Sequence, residues 1–133
     1  MKVAITSTGN DLASEISPHF GRCPTFLIVD PETMKYEAVP NSAVSSAHGA
    51  GIGAAQLVAS KGANVVLTGN VGPNAFSALS ASGLQIVTGV SGTVEEAVLR
   101  FKSGELGAIS GPNVGGHFGS GGGGGGRGRR RGF

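Results

Sequence analysis

Hydrophobic positions along this chain follow two rhythms, continuous apolar runs of five or six residues and spaced runs at helical period. Residues 2–7, KVAITS, are β-branched and mostly apolar and break at Thr8-Gly9-Asn10-Asp11, which predicts a buried strand ending in a loop. Residues 11–24, DLASEISPHFGRCP, hold two prolines and no sustained period, so they form a long loop before TFLIVD resumes a strand at residues 25–30. Asp30-Pro31-Glu32-Thr33 carries turn chemistry, with Pro31 presetting φ, and MKYEAVP alternates after it. Strands two and three are therefore expected as an antiparallel hairpin.

After Asn41 a small-residue stretch leads into AAQLVASKG, where Ile52, Ala55 and Ala59 can share one helical face and Gly62 suits the end. NVVLTG is a strand, and NVGPNAFSALSASG is a short helix with Pro73 in its first turn, Phe76 and Leu79 inward and Gly83 closing it. LQIVTG is another strand. In SGTVEEAVLRFKSGEL, Thr93 and Glu96 have capping-box spacing, and Val94, Ala97, Val98 and Phe101 follow i, i+3, i+4, i+7. The order β-β-β-α-β-α-β-α implies an α/β fold, a mixed five-stranded sheet with helices packed on it.

Composition divides the chain in two. Of its 133 residues 25 are glycine, and nine of those, with four arginines, fall in GSGGGGGGRGRRRGF from Gly119. Residues 1–118 hold six basic against eight acidic side chains, a net charge of −2, so the overall +2 belongs to the tail. One domain over residues 1–110 is expected, with 111–133 a disordered tail. An acidic body argues against a phosphate-neutralising face, although the tail can add salt-sensitive affinity for RNA or another polyanion, which is the rival reading of function. No run of about 18 apolar residues and no signal core is present, and a lone Cys23 fits a reducing compartment, so a cytoplasmic, non-membrane protein is expected.

Gly49, Gly51 and Ala54 match G-x-G-x-x-A, but the match follows no strand and no acidic residue stands about 20 residues on. A dinucleotide site is rejected. The junctions Thr68-Gly69-Asn70-Val71-Gly72 and Thr88-Gly89-Val90-Ser91-Gly92 follow parallel strands, where open α/β sheets bind ligands, and helix N-termini there favour anions. Asn70 and Gly72 are candidates on that ground.

Ligand-forming side chains concentrate in Ser17-Pro18-His19-Phe20-Gly21-Arg22-Cys23. Imidazole and thiolate suit iron or an iron-sulfur cluster, and Arg22 between them can balance a cluster's negative charge. His48 is the third candidate ligand beside His19 and Cys23. Three ligands fall short of a closed four-ligand zinc staple, so a labile cluster fits better. Cys23 with a histidine as a nucleophilic pair is a further alternative, but no G-x-S-x-G or H-E-x-x-H is present.

Together, KVAITS, SPHFGRC, TFLIVD, His48-Gly49-Ala50-Gly51, VVLTGNVGPNAF and LQIVTGVSGTVEEAV resemble the dinitrogenase iron-molybdenum cofactor biosynthesis family from Met1 to about Leu106. The resemblance implies a ribonuclease-H-like three-layer fold without the nuclease carboxylates. It also implies a monomeric non-enzyme that binds an iron-sulfur or iron-molybdenum type cluster transiently and passes it from a donor to a recipient metalloprotein. His19 matches the family's ligand position. Phe20, Gly21, Arg22, Gly49, Asn70 and Gly72 are the expected surrounding contacts.

Overall fold

A computed structural model describes residues 1–42 and 50–106 of the chain. His48, Gly49 and the tail from residue 107 lie outside the described residues, and so do the readings that fall on them.

Five strands and three helices follow the order expected from the sequence. They are β1 (Val3–Ser7), β2 (Thr25–Val29), β3 (Tyr36–Pro40), α1 (Ala50–Ser60), β4 (Val65–Leu67), α2 (Pro73–Ala81), β5 (Gln85–Val87) and α3 (Val94–Lys102). The sheet runs β3-β2-β1-β4-β5. β1 pairs antiparallel with β2, which continues antiparallel into β3, and β1 pairs parallel with β4 and β4 with β5. The sheet is therefore mixed, and β1 sits at its centre with each class of pairing on one side.

β1, β2 and β4 are buried on both faces, which is why they read as continuous apolar runs rather than alternating ones. One face carries Ala4, Phe26, Ile28, Val39, Val66 and Ile86 against α1 and α2. The other carries Val3, Ile5, Leu27, Val29, Leu67 and Val87 against Val94, Ala97 and Val98 of α3. Two cores on opposite faces of one sheet make three layers.

The face of α1 differs from the expected one. Ala54, Ala55 and Val58 are buried, whereas Ile52 is 40% exposed and Ala59 only partly covered. The helix lies close to α2 through its small residues: a Cβ on Gly51 would stand 3.1 Å from the Cβ of Ala75. That contact accounts for Gly51, the central glycine of the spacing that mimics a dinucleotide fingerprint. Gly62 ends α1 at φ +80, a conformation glycine adopts without steric cost. In α2, Ala75 and Leu79 are buried and Phe76 is only partly so. Among the described residues no helix is long and apolar enough to cross a membrane.

Candidate functional site

The chain between β1 and β2 doubles back across the carboxyl ends of the parallel strands. Ser17 N–H donates to the Thr6 carbonyl at 2.9 Å, and Ile16 N–H donates to the Gly92 carbonyl at 2.9 Å. Beneath it, the buried hydroxyl of Thr6 donates to the Ser17 carbonyl at 2.7 Å and lies 3.0 Å from Thr68 Oγ1. These bonds satisfy loop groups that would otherwise be buried without partners.

The loop then pairs with the segment after β4 in a short parallel bridge between His19 and Asn70. Asn70 N–H donates to the Pro18 carbonyl at 2.8 Å, and Phe20 N–H donates to the Asn70 carbonyl at 3.2 Å. Gly69 permits this approach, because a Cβ there would stand 2.6 Å from the Pro18 oxygen and 2.8 Å from its Cα. Sequence reasoning assigned small residues at this junction to ligand access. The space at Gly69 is instead filled by the protein's own backbone, and the signal for it, a glycine directly after a buried strand, has many other meanings.

Adjacent residues of the loop point in opposite directions. Phe20 is 1% exposed and meets Phe26 with ring centroids 5.3 Å apart at a 51° tilt, which anchors the loop in the core beneath α1. His19 is exposed, and its Nδ1 lies 2.7 Å from Asn70 Oδ1. Phe20–Arg22 form one 3-10 turn, so Arg22 also emerges at the surface. Among the described residues the Arg22 guanidinium has no ion-pair partner. Gly72 caps α2 without a side chain, and a Cβ there would meet nothing within 4 Å. Asn70 therefore comes together with His19 at the rim, with Arg22 one 3-10 turn further along the loop and Gly72 two residues beyond Asn70, while Phe20 anchors the loop in the core.

Cys23 does not join them. It has no exposed surface, its thiol donates to the Phe20 carbonyl at 3.3 Å, and burial pushes the thiol pKa up to about 12. The sulfur therefore has no exposed face toward the rim, and its burial disfavours the charged form. Cys23, a candidate ligand by its residue type, packs here as a small group in the core and apart from the exposed imidazole. The same burial leaves the thiol without an exposed face for a substrate.

The other helix entrance is also occupied. Val94 N–H donates to the Ser14 carbonyl and Glu95 N–H to the Leu12 carbonyl, both at 2.9 Å. Glu96 N–H donates to Thr93 Oγ1 at 3.2 Å, and the Glu96 carboxylate accepts from Thr93 N–H at 3.0 Å. The N-terminus of α3 thus has its donors satisfied by the chain itself, contrary to the expectation of an anion site after β5. Asn41, which sequence reasoning passed over, donates from Nδ2 to the Cys23 carbonyl at 2.9 Å and ties the chain after β3 to the loop. Among the described residues no three His, Cys, Asp or Glu side chains gather as a metal site.

The arrangement defines a three-layer α/β domain with an exposed imidazole on the rim of its parallel half-sheet and an exposed arginine on the same loop. The chain belongs to the dinitrogenase iron-molybdenum cofactor family, whose model matches residues 1–104. It is similar to the orange protein of Desulfovibrio gigas, solved in its apo form, at 43% identity and a TM-score of 0.83 over 85% of this chain and 96% of that one. A Thermotoga protein assigned provisionally to NifB is 38% identical, with a TM-score of 0.75 over 86% of this chain and 98% of that one. An uncharacterised protein of Methanocaldococcus jannaschii is 34% identical over 80% of this chain and 89% of its own length.

Proposed function

We propose that the domain carries an iron-sulfur or iron-molybdenum type metallocluster as cargo at the His19 rim and passes it from a donor to a recipient metalloprotein, with no reaction of its own. The observation that carries this reading is His19 itself, exposed beside Asn70 on a loop held by backbone bonds from both sides. Imidazole is a suitable ligand for iron in clusters. The exposed guanidinium of Arg22, without an ion-pair partner among the described residues, and the start of α2 at Gly72, which has no side-chain cap, favour an anionic cargo. Membership of a family described by the iron-molybdenum cofactor agrees with this, and so does a relative whose structure is of an apo form.

Delivery requires that few protein bonds break on release. A site with one described ligand meets that requirement, where a closed four-ligand cage would not. In the same reading, the strand order β3-β2-β1-β4-β5 is ribonuclease-H-like, and the domain works as a monomer in the cytoplasm. The test is transfer: the domain, loaded anaerobically with an iron-sulfide cluster, is mixed with an apo-ferredoxin and an iron chelator. Acceptor activation that outpaces capture of iron by the chelator is expected. Equal rates with and without the domain, or complete loss to the chelator, would refute delivery.

A further inference from the structure

We infer that Asn70 is a positioning residue that locks the His19 ring with its proton on Nδ1, leaving Nε2 as the atom presented to cargo. The inference rests on the proposed carrier function for the cargo and on the geometry alone for the ring. A neutral imidazole has one N–H and one lone pair. With Oδ1 of Asn70 accepting at 2.7 Å, the proton is on Nδ1 and the lone pair is on Nε2.

Asn70 is built to hold that position. Its N–H is bound to the Pro18 carbonyl, its carbonyl accepts from Phe20 N–H, and Gly69 lets Pro18 press against the same strand end. The two partners of the side-chain bond thus sit on paired backbones. Phe20, the residue after His19, is anchored in the core, so the His19 backbone is fixed and the hydrogen bond to Asn70 orients the ring. An exposed neutral hydrogen bond of this kind adds little to stability, so its value lies in orientation.

A consequence follows for the class of cargo. One fixed nitrogen donor fills one open coordination position, and among the described residues it belongs to no group of three or more His, Cys, Asp or Glu side chains. Such a rim accepts a preassembled cluster with one exchangeable ligand and discriminates against a bare divalent ion, which needs several donors from the protein.

The test uses nitrogen-15 spectra of the histidine rings in the full chain, at a pH where they are neutral, together with binding of an iron-sulfide cluster assembled from ferrous iron and sulfide. The wild type is expected to show His19 protonated on Nδ1. Asn70→Ala should mix the two ring forms and weaken cluster binding by roughly 10–100-fold with an unchanged amide spectrum, while Asn70→Asp restores the Nδ1 proton and most of the binding. If Asn70→Ala fails to fold, Asn70→Gln keeps the amide but moves it one methylene, and the same loss is expected. A wild-type ring protonated on Nε2, or full cluster binding by a folded variant with mixed ring forms, would overturn the positioning role while leaving the carrier function standing. No cluster on the wild type, with the ring as expected, would instead overturn the carrier function and the cargo assignment built on it.

Discussion

The Cys23 thiol, pushed up to about 12 by its burial, does not dissociate at neutral pH. Its ordinary value is 9.0, so near pH 8 its native thiolate fraction is lower by about a thousandfold than that of an ordinary thiol. Alkylation by iodoacetamide should accordingly be slower by about that factor than in the denatured chain, and an equal rate would mean that the loop opens. The stability consequence has a definite sign. The unfolded chain loses this proton from about pH 9.0 and the native one only near 12, so the contribution is full below 9.0 and falls as pH rises, by about 1.4 kcal/mol per unit across that window. Cys23→Ala should flatten this alkaline decline in a urea titration.

Gly69 makes the complementary residue-scale prediction. Adding a methyl group 2.6 Å from the Pro18 oxygen forces the 17–20 segment away from Asn70. Gly69→Ala should lower stability by about 1–3 kcal/mol and lengthen the His19–Asn70 bond, read by thermal unfolding and by the His19 ring signals. The exposed position of His19 was legible because it stands in a polar, proline-bearing loop before a strand. The surroundings of Cys23 and Gly69 were not, because whether a side chain or its neighbour's backbone occupies a space depends on the loop's return path, which no local spacing encodes.

At the scale of elements, legibility follows how much of the signal is local. Thr93 and Glu96 define the start of α3 by reciprocal hydrogen bonds within four residues, so the cap could be read directly. Thr93→Ala should destabilise the domain by about 0.5–2 kcal/mol in denaturant titration. The loss should exceed that of an ordinary exposed threonine, since the Glu96 carboxylate, held below its usual range by its bond to Thr93 N–H, then loses its partner's hydroxyl as well. The inward face of α1 could not be read this way. Its small residues satisfy several helical stripes, and only the close contact of Gly51 with Ala75 chooses Ala54 and Ala55 over Ile52. The N-terminus of α3 was misread as open for a similar reason: the carbonyls that fill it come from Leu12 and Ser14, about 80 residues earlier in the chain.

For the whole molecule, the two cores among the described residues run from Val3 to Leu106, and the glycine-arginine composition of residues 111–133 is that of a solvated tail. Removing residues 111–133 should therefore leave the thermal midpoint unchanged, and a lowered midpoint would show that the tail packs on the body. The order of elements was legible because each strand is an apolar run or, in β3, an alternating one, and each helix is bounded by a glycine or a cap. The convergence of His19 with Asn70 was not, since it depends on β1 and β4 pairing in parallel at the centre of the sheet.

The most direct measurement on the central claim is anaerobic reconstitution with iron and sulfide, with visible absorption and metal analysis on the wild type and on His19→Ala. The account predicts a broad charge-transfer band with iron bound in fixed ratio to the wild type, and its loss from a variant that remains folded. A colourless wild type, or a His19→Ala variant that holds the cluster as well as its parent, would contradict it.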